Sequence, residues 1–284
     1  MKIVVTGAAG QLGRDVVDHL VETGDEVVAL DRSGLDLARD DARSAIVDLA
    51  PDVVVNCAAY TAVDAAESDE STAATVNDIG VRRLAEGCVD AAAHLVHVST
   101  DYVFDGTLDR PYVESDATNP QSIYGATKLA GERAAAEVLG GAVSIVRTSW
   151  VCGEHGNNVV KLVLRLAANP EQSLAFVDDQ VGHPTFTADL AISLARVAIE
   201  RPGGVLHLTN QRAVSWYRFV REILAAAGHS PDRVRPITTA ELDPPRPAPR
   251  PANSVLDNAR ARDLGWQPTR DFAEPLADLV AKLT

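Results

Sequence analysis

The side chains in this 284-residue chain best suited to chemistry are a tyrosine and a lysine four positions apart, Tyr124 and Lys128, in Ile123-Tyr124-Gly125-Ala126-Thr127-Lys128. On a helix this spacing puts both on one face. An ammonium one turn from a phenol favours the phenolate and draws the tyrosine pKa down from about 10, so Tyr124 is expected to exchange a proton with a substrate hydroxyl or carbonyl. Thr100, with Ser99 as second choice, ends the apolar run Leu95-Val96-His97-Val98 and can polarise the same oxygen. A hydroxyl there can equally do no more than cap the following turn.

A YxxxK match alone is weak; an upstream motif gives it weight. Thr6-Gly7-Ala8-Ala9-Gly10-Gln11-Leu12-Gly13 follows the first apolar run directly and opens a helical pattern of Leu12, Val16 and Leu20. Glycines there permit a tight turn and a close backbone approach to a pyrophosphate, whose charge meets the free N–H groups of the helix start. Gly7, Gly10 and Gly13 are the expected contacts. Asp31 stands about 20 residues further on, where a carboxylate can bond an adenosine ribose and favour NAD. Arg32 beside it can pair with the extra 2′-phosphate of NADP. The two together predict use of both NADH and NADPH.

The elements that must position these residues alternate from the start. Lys2 to Thr6 and Glu26 to Asp31 flank the first helical pattern, which is a βαβ unit. Further β-rich runs at Asp52 to Asn56, Leu95 to Ser99 and Ser144 to Val146 are separated by Ala-rich helical stretches. This pattern predicts an α/β protein with a doubly wound parallel-sheet Rossmann fold. The dinucleotide-binding Rossmann domain is expected over residues 1–147, completed by segments within 173–200. Residues 148–284 are expected to form mainly a smaller, mixed α/β substrate-binding region. Asp243 to Pro251 places five prolines within eight positions and must be a loop. Short helices are expected at 257–264 and 271–283.

Composition narrows the function classes. Hydrophobic residues at 46% and charged residues at 23% describe a globular chain. A net charge of −14 opposes attraction to nucleic acid or anionic membrane surfaces. No uncharged apolar run approaches the roughly 18 residues of a membrane span, so a cytoplasmic location is expected. Scarce lysine with abundant carboxylates fits a salt-adapted surface. Cys57, Cys88 and Cys152 form no CxxC pair and read as reduced core cysteines. The seven histidines show no ligand spacing, so no catalytic metal is expected.

Together these motifs are similar to those of the extended short-chain dehydrogenase/reductase family. Five further segments sharpen the likeness: Ala58-Ala59-Tyr60-Thr61-Ala62-Val63-Asp64, Ser99-Thr100-Asp101-Tyr102-Val103-Phe104-Asp105-Gly106, Arg147-Thr148-Ser149-Trp150-Val151, Asp179-Gln180-Val181-Gly182-His183-Pro184-Thr185 and Arg250-Pro251-Ala252-Asn253-Ser254. They resemble the dTDP-4-dehydrorhamnose reductase branch of that family, from near the first residue to about residue 257. The resemblance implies NADPH- or NADH-dependent reduction of the C4 keto group of dTDP-4-dehydro-β-L-rhamnose to dTDP-L-rhamnose, the last step of dTDP-rhamnose biosynthesis. It gives Tyr124 the proton, Lys128 the nicotinamide ribose and the tuning of Tyr124, and Thr100 the reacting oxygen.

The resemblance also places Gln11 and Leu12 at the phosphate turn, Asp36 and Leu37 on the adenine side, and Ala58, Ala59 and Tyr60 on the path to the nicotinamide. Thr61, Val63, Asp101 and Trp150 fall at the sugar site. Trp150 offers a flat apolar face to a deoxysugar, with burial in a core as the rival role. Arg147, Arg212 and Arg250 are candidate diphosphate partners. A homodimer is compatible with the family, some of whose members carry magnesium at a dimer contact.

Two rivals share the scaffold. A sugar-nucleotide 4,6-dehydratase or epimerase is one, but the resemblance gives dehydration an adjacent Asp-Glu pair, and here Asp101 precedes Tyr102. The other is a non-catalytic dinucleotide-binding regulatory subunit, like that of methionine adenosyltransferase. Retention of Thr100, Tyr124 and Lys128 favours the enzyme.

Overall fold

The computed structural model describes residues 1–169 and 171–284. Strands β1 (Lys2–Thr6), β2 (Glu26–Leu30), β3 (Val53–Asn56), β4 (His94–Thr100) and β5 (Val143–Thr148) build the sheet with helices between them. The helices of this half are α1 (Gln11–Glu22), α2 (Ala42–Leu49), α3 (Val63–Ala66), α4 (Glu70–Ala74), α5 (Gly80–Asp90) and α6 (Ile123–Leu139). The remainder carries β6 (Val151–Cys152), α7 (Val159–Ala167), β7 (Leu174–Val177), β8 (Val181–Gly182), β9 (Thr185–Phe186), α8 (Thr187–Glu200), β10 (Gly204–His207), β11 (Val214–Ser215), α9 (Trp216–Ala226), β12 (Val234–Ile237), α10 (Ala259–Asp263) and α11 (Ala273–Leu283).

Six strands form one parallel sheet in the order β10-β5-β4-β3-β1-β2. β3 and β5 are buried along their whole length while edge strand β2 is not, which is the burial expected of a sheet covered on both faces. Alternation divides its side chains between two cores. Ile3, Val5, Val53 and Val55 pack with Leu12, Val16 and Leu20 of α1 and Leu190 and Leu194 of α8. Val4, Val54, Leu95 and Ile145 pack with Ile46, Val81, Leu84 and Ala135 on the other face.

The carboxy-terminal elements bury a core of their own, in which Val160, Val163, Phe219, Ile223, Phe272 and Leu276 join α7, α9 and α11. α8 lies within the 173–200 window, but the strand that returns to the sheet, Gly204–His207, lies beyond it. Strands 4 and 5 run one or two residues further than their apolar runs, because Thr100 and Thr148 still pair across the ladder. Residues 243–251 hold neither helix nor strand, as their prolines demand. Among the described residues no helix is long and apolar enough to cross a membrane.

The chain leaves β1 for β2 on one side and returns to β3 on the other. This switch point, at the carboxyl ends of β1 and β3, is where doubly wound sheets open a ligand crevice.

Candidate active site

The turn after β1 is built for an anion. Gly7 sits at φ +68°, and a Cβ there would lie 2.7 Å from the Ala58 backbone nitrogen. A Cβ on Gly13 would come within 2.2 Å of the Gly7 carbonyl oxygen, so only glycine lets the helix start rest on the turn. α1 has no side-chain cap, which leaves the N–H groups of Gln11, Leu12 and Gly13 for a ligand. A cavity of about 220 Å³ opens here, lined among others by Gly7, Gly10, Asp31, Arg32, Asp36, Leu37, Ala58 and Ala59.

Some assignments at this turn change in detail. Asp31 Oδ1 accepts from Ser33 N at 2.8 Å, Ser33 Oγ at 2.6 Å and Gly34 N at 3.1 Å, which holds the carboxyl below its usual range and leaves Oδ2 outside these bonds. The Gln11 side chain turns the other way. It donates to Val151 O at 3.1 Å and accepts from Gly153 N at 3.1 Å and Asn158 Nδ2 at 2.6 Å, tying the phosphate turn to the start of α7. The Leu12 side chain belongs to the core, so only its backbone faces the turn. Tyr60 is fixed through its backbone by Asn77, whose side chain accepts from Tyr60 N and donates to Tyr60 O.

α6 brings the proton-transfer pair to the end of β4. Ser122 caps the helix, its hydroxyl accepting from Gly125 N at 3.1 Å. A Cβ on Gly125 would lie 2.3 Å from the Tyr102 carbonyl oxygen, so this glycine lets the first turn press against the strand end. Tyr124 meets the Tyr102 ring edge-on, with centroids 5.5 Å apart, and lies near the Thr100 hydroxyl. The Thr100 hydroxyl donates to Asp101 Oδ1 at 3.0 Å and accepts from Tyr102 N at 3.2 Å, so it caps the turn as well as facing Tyr124. Ser99 is excluded from the substrate side: its hydroxyl donates to buried Glu132 at 2.5 Å.

The expected phenolate is not what the site favours. Burial raises the Tyr124 pKa above its ordinary value, and neighbouring Asp101 adds to the rise, against the nearby Thr100 hydroxyl. Lys128 does not reverse this. Its Nζ donates to Val98 O at 2.8 Å and lies 3.3 Å from His97 Nε2, and burial lowers its pKa to about 8. The resting tyrosine is a phenol, a proton donor. Asp101, 2% exposed, has a carboxyl raised to about 6 by burial, and its Oδ2 has no hydrogen-bond partner.

A larger cavity of about 430 Å³ opens beyond Tyr102, against Phe176, Trp216, Leu242, Arg246 and Arg250. Arg250 donates to Asp64 through two nitrogens, at 2.5 and 2.7 Å, and Arg246 stands 3.5 Å from the same carboxylate. The proline-rich loop is thereby tied to α3, which follows Thr61 and opens with Val63. Thr61 and Val63 lie beside this tie but do not line the cavity. Trp150 stacks on Trp216 with centroids 3.6 Å apart and planes 10° apart, so Trp216 forms the cavity wall and covers one face of Trp150.

Two of the proposed diphosphate arginines are engaged elsewhere. Arg147 is buried and paired with Glu132 at 2.7 Å. Arg212 pairs with Asp271 and Glu222 and lies over the Phe272 ring. One acidic group on the described surface, Asp15, Asp18 and His155, brings its ligand atoms within 4.8 Å and shares no residue with either cavity.

The site therefore has two cavities, one headed by a glycine turn and lined by Cys57, which faces Lys128, and one walled by aromatic and arginine side chains and lined by Tyr102, which packs on Tyr124. The family model described as RmlD substrate binding domain matches residues 1–284. The chain belongs to that family. The dTDP-4-dehydrorhamnose reductase of Streptomyces griseus is 45% identical over 281 residues, 97% of this chain and 91% of the relative. The dTDP-4-keto-6-deoxy-D-glucose reductase of Streptomyces niveus is 42% identical, covering 96% of this chain and 94% of its own. The crystal structure of the dTDP-4-dehydrorhamnose reductase of Bacillus anthracis in complex with NADP superposes with a TM-score of 0.92 at 32% identity, over 99% of each chain.

Sequence reasoning missed Asn56, Asp64, His97, Tyr102, Trp216 and Arg246. Asp64, Tyr102 and His97 stood inside or beside quoted motifs, and the signal was available: a histidine in the middle of an apolar strand run requires a partner. Trp216 and Arg246 carry no local signal.

Proposed function

We propose that the chain is an NAD(P)H-dependent reductase of a dTDP-4-keto-6-deoxysugar, and that its substrate is dTDP-4-dehydro-β-L-rhamnose, giving dTDP-L-rhamnose. The observation that carries this is Tyr124, near Thr100 at the carboxyl end of β4 and packed edge-on against Tyr102, which lines the cavity walled by Trp216 and Arg250. The glycine turn fits a dinucleotide: its cradle is one that a Cβ would fill, and its helix start offers free N–H groups.

The dinucleotide, when bound, supplies hydride to the ketone carbon. The residues do the rest. Thr100 and Tyr124 bond the ketone oxygen, and Tyr124 gives its phenolic proton to the oxygen as charge develops there. Lys128 reaches the ribose hydroxyls and steadies the tyrosinate left behind. Asp31 Oδ2 and Arg32 serve the adenosine ribose with or without its phosphate, so both NADPH and NADH are accepted. Gly10, Asp36, Leu37, Ala58, Ala59 and Tyr60 complete the dinucleotide path. Arg250 and Arg246 hold the sugar-nucleotide diphosphate, while Thr61, Val63, Asp101 and Trp150 lie toward the sugar. Residues 1–147 with α8 and β10 form the dinucleotide domain, and most of 148–284 the substrate region.

Turnover of dTDP-4-dehydro-L-rhamnose with NADPH and with NADH, product stereochemistry by NMR, and Tyr124→Phe as control test the reading. Stoichiometric oxidation of the dinucleotide with loss of activity in the variant is expected. Absence of turnover with dinucleotide bound overturns it. The Streptomyces niveus relative favours one alternative, a 4-keto-6-deoxyglucose substrate, which the same assay distinguishes by product configuration.

A further inference from the structure

Gln11 is the first residue of α1, and its backbone N–H is one of those that no side chain caps. Its side chain crosses to the segment that follows β6. Gly153 N is a backbone donor, so the Gln11 atom that meets it at 3.1 Å is the oxygen Oε1. Nε2 then faces Val151 O at 3.1 Å and donates to it. Asn158 is oriented in the same way. Lys161 N donates to Asn158 Oδ1 at 3.1 Å, which caps the first turn of α7. Asn158 Nδ2 is thereby turned toward two acceptors, Gln11 Oε1 at 2.6 Å and Gly153 O at 2.8 Å.

This link runs from one cavity to the wall of the other. At its near end is the helix start that fits a diphosphate. At its far end α7 carries Val159 and Leu162, which line the cavity of about 430 Å³ together with Tyr102, Trp216 and Arg250. Residues 153–158, between β6 and α7, hold neither helix nor strand. Among the described residues their other polar side-chain links to distant parts of the chain are looser. His155 stands 3.9 Å from Asp15, and Glu154 lies 3.3 Å from Lys282 on the surface. An amide suits position 11 because it accepts from Gly153 N and donates to Val151 O at once. A carboxylate could only accept and an ammonium only donate.

We propose that Gln11 is a positioning residue that couples the two cavities: order imposed on the start of α1 by a dinucleotide passes through Gln11 and Asn158 to the first turn of α7, so the sugar nucleotide binds more tightly once the dinucleotide is in place. The identity of the two ligands rests on the reductase reading above. The physical basis is ordering. An anion held by the N–H groups of residues 11–13 fixes the backbone that carries the Gln11 side chain. Three hydrogen bonds from that side chain then hold Val151, Gly153 and Asn158. A second ligand that packs on Val159 and Leu162 no longer has to order that wall itself. It binds tighter, and by linkage it tightens the dinucleotide by the same factor.

Calorimetric titration of the full chain with dTDP, alone and at saturating NADPH, measures the coupling. dTDP carries no sugar, so none of the effect can come from contact between a sugar and the nicotinamide. Wild type should bind dTDP about fivefold to tenfold tighter with NADPH present, the lower part of the usual range of couplings. Gln11→Ala keeps the backbone N–H and should bring that ratio below about twofold. Asn158→Ser still caps α7 but is too short to reach Gln11, and should do the same. A merely structural role would weaken dTDP equally with and without NADPH, leaving the ratio at its wild-type value, and that result overturns the proposal. Hydrogen exchange read by mass spectrometry gives a second measure. NADPH should slow exchange over residues 151–162 about fivefold in wild type and leave it unchanged in Gln11→Ala. Equal slowing in both proteins, or none in wild type, overturns the proposal. If one variant does not fold, the other decides. Independent binding of the two ligands to wild type overturns the coupling and leaves the reductase reading standing. Wild type to which NADPH or dTDP does not bind refutes that reading and the coupling with it.

Discussion

Lys128 and Glu132 stand one turn apart on α6, both enter the sheet face, and both are almost fully buried, at 2% and 3% exposure. Their surroundings differ. Glu132 accepts from Ser99 at 2.5 Å and from Arg147 at 2.7 to 3.2 Å, and Arg147 lies 5.1 Å from the Phe104 ring centre. That charge is compensated by hydrogen bonds and an ion pair that hold α6 to β4 and β5. Lys128 meets a neutral imidazole and a carbonyl oxygen. A buried charge without a counter-charge opposes folding. Sites of that kind are retained where chemistry needs a group that changes its protonation state.

The largest expected effect breaks the pair at its functional member. Lys128→Met should lower kcat by about 10²–10⁴-fold, the range for loss of a proton-transfer partner, and at the same time stabilise the ligand-free protein. The sign follows from linkage: a lysine near 8 folded and 10.5 unfolded opposes folding below pH 8, and the opposition fades as pH rises from 8 to 10.5. Urea titrations should therefore show a gain of about 1–3 kcal/mol at neutral pH that closes by pH 10.5. A variant less stable than wild type at neutral pH would mean that Lys128 is compensated after all.

Glu132→Gln should do the reverse. It leaves Arg147 buried without a counter-charge, so a loss of about 3–5 kcal/mol is expected in the same titrations. Glu132→Gln combined with Arg147→Met should recover most of that loss. If the single change costs less than about 1 kcal/mol, the contrast between the two positions fails.

The two sites also differ in how far the amino-acid sequence reveals them. The glycine turn and YxxxK were legible because each is local: backbone conformation decides the first and helix periodicity the second. Asp31, Arg32 and the parallel sheet followed from the same periodicities. The sign of the Tyr124 shift was not legible, since it depends on how deeply α6 buries the phenol and on where Lys128 points. Arg147 read as a ligand partner because its counter-ion, Glu132, sits on another element. The wall of the larger cavity draws on Tyr102, Phe176, Trp216 and Arg250, residues far apart in sequence that only the fold brings together.

Asp101 extends the comparison to a third buried charge, with the opposite sign and a smaller expected effect. Its carboxyl is raised from 3.8 to about 6, so the charged form opposes folding above pH 6 and the opposition disappears below 3.8. Asp101→Asn should stabilise the ligand-free protein by about 1–3 kcal/mol at pH 7.5, with the gain gone by about pH 4. Asparagine still accepts the Thr100 hydroxyl, so the geometry survives. A gain independent of pH would show that packing, not charge, separates the two proteins.

Asp64 tests the other end of the scale, where an ion pair is partly open to solvent. Its side chain is 32% exposed and that of Arg250 16%, and the arginine beside it holds the Asp64 carboxyl below its usual range. Solvent screening limits such a pair to about 1 kcal/mol, or roughly fivefold in a binding constant. Because the pair ties the proline-rich loop over the cavity that Arg250 lines, Asp64→Asn should raise KM for the sugar nucleotide about fivefold, and the effect should shrink with added salt. The KM for the dinucleotide should stay put, since its cavity shares no residue with the loop. Equal changes in both Michaelis constants would mean that Asp64 supports the α3 region as a whole, and the division between a backbone-built and a side-chain-built cavity would lose its simplest energetic signature.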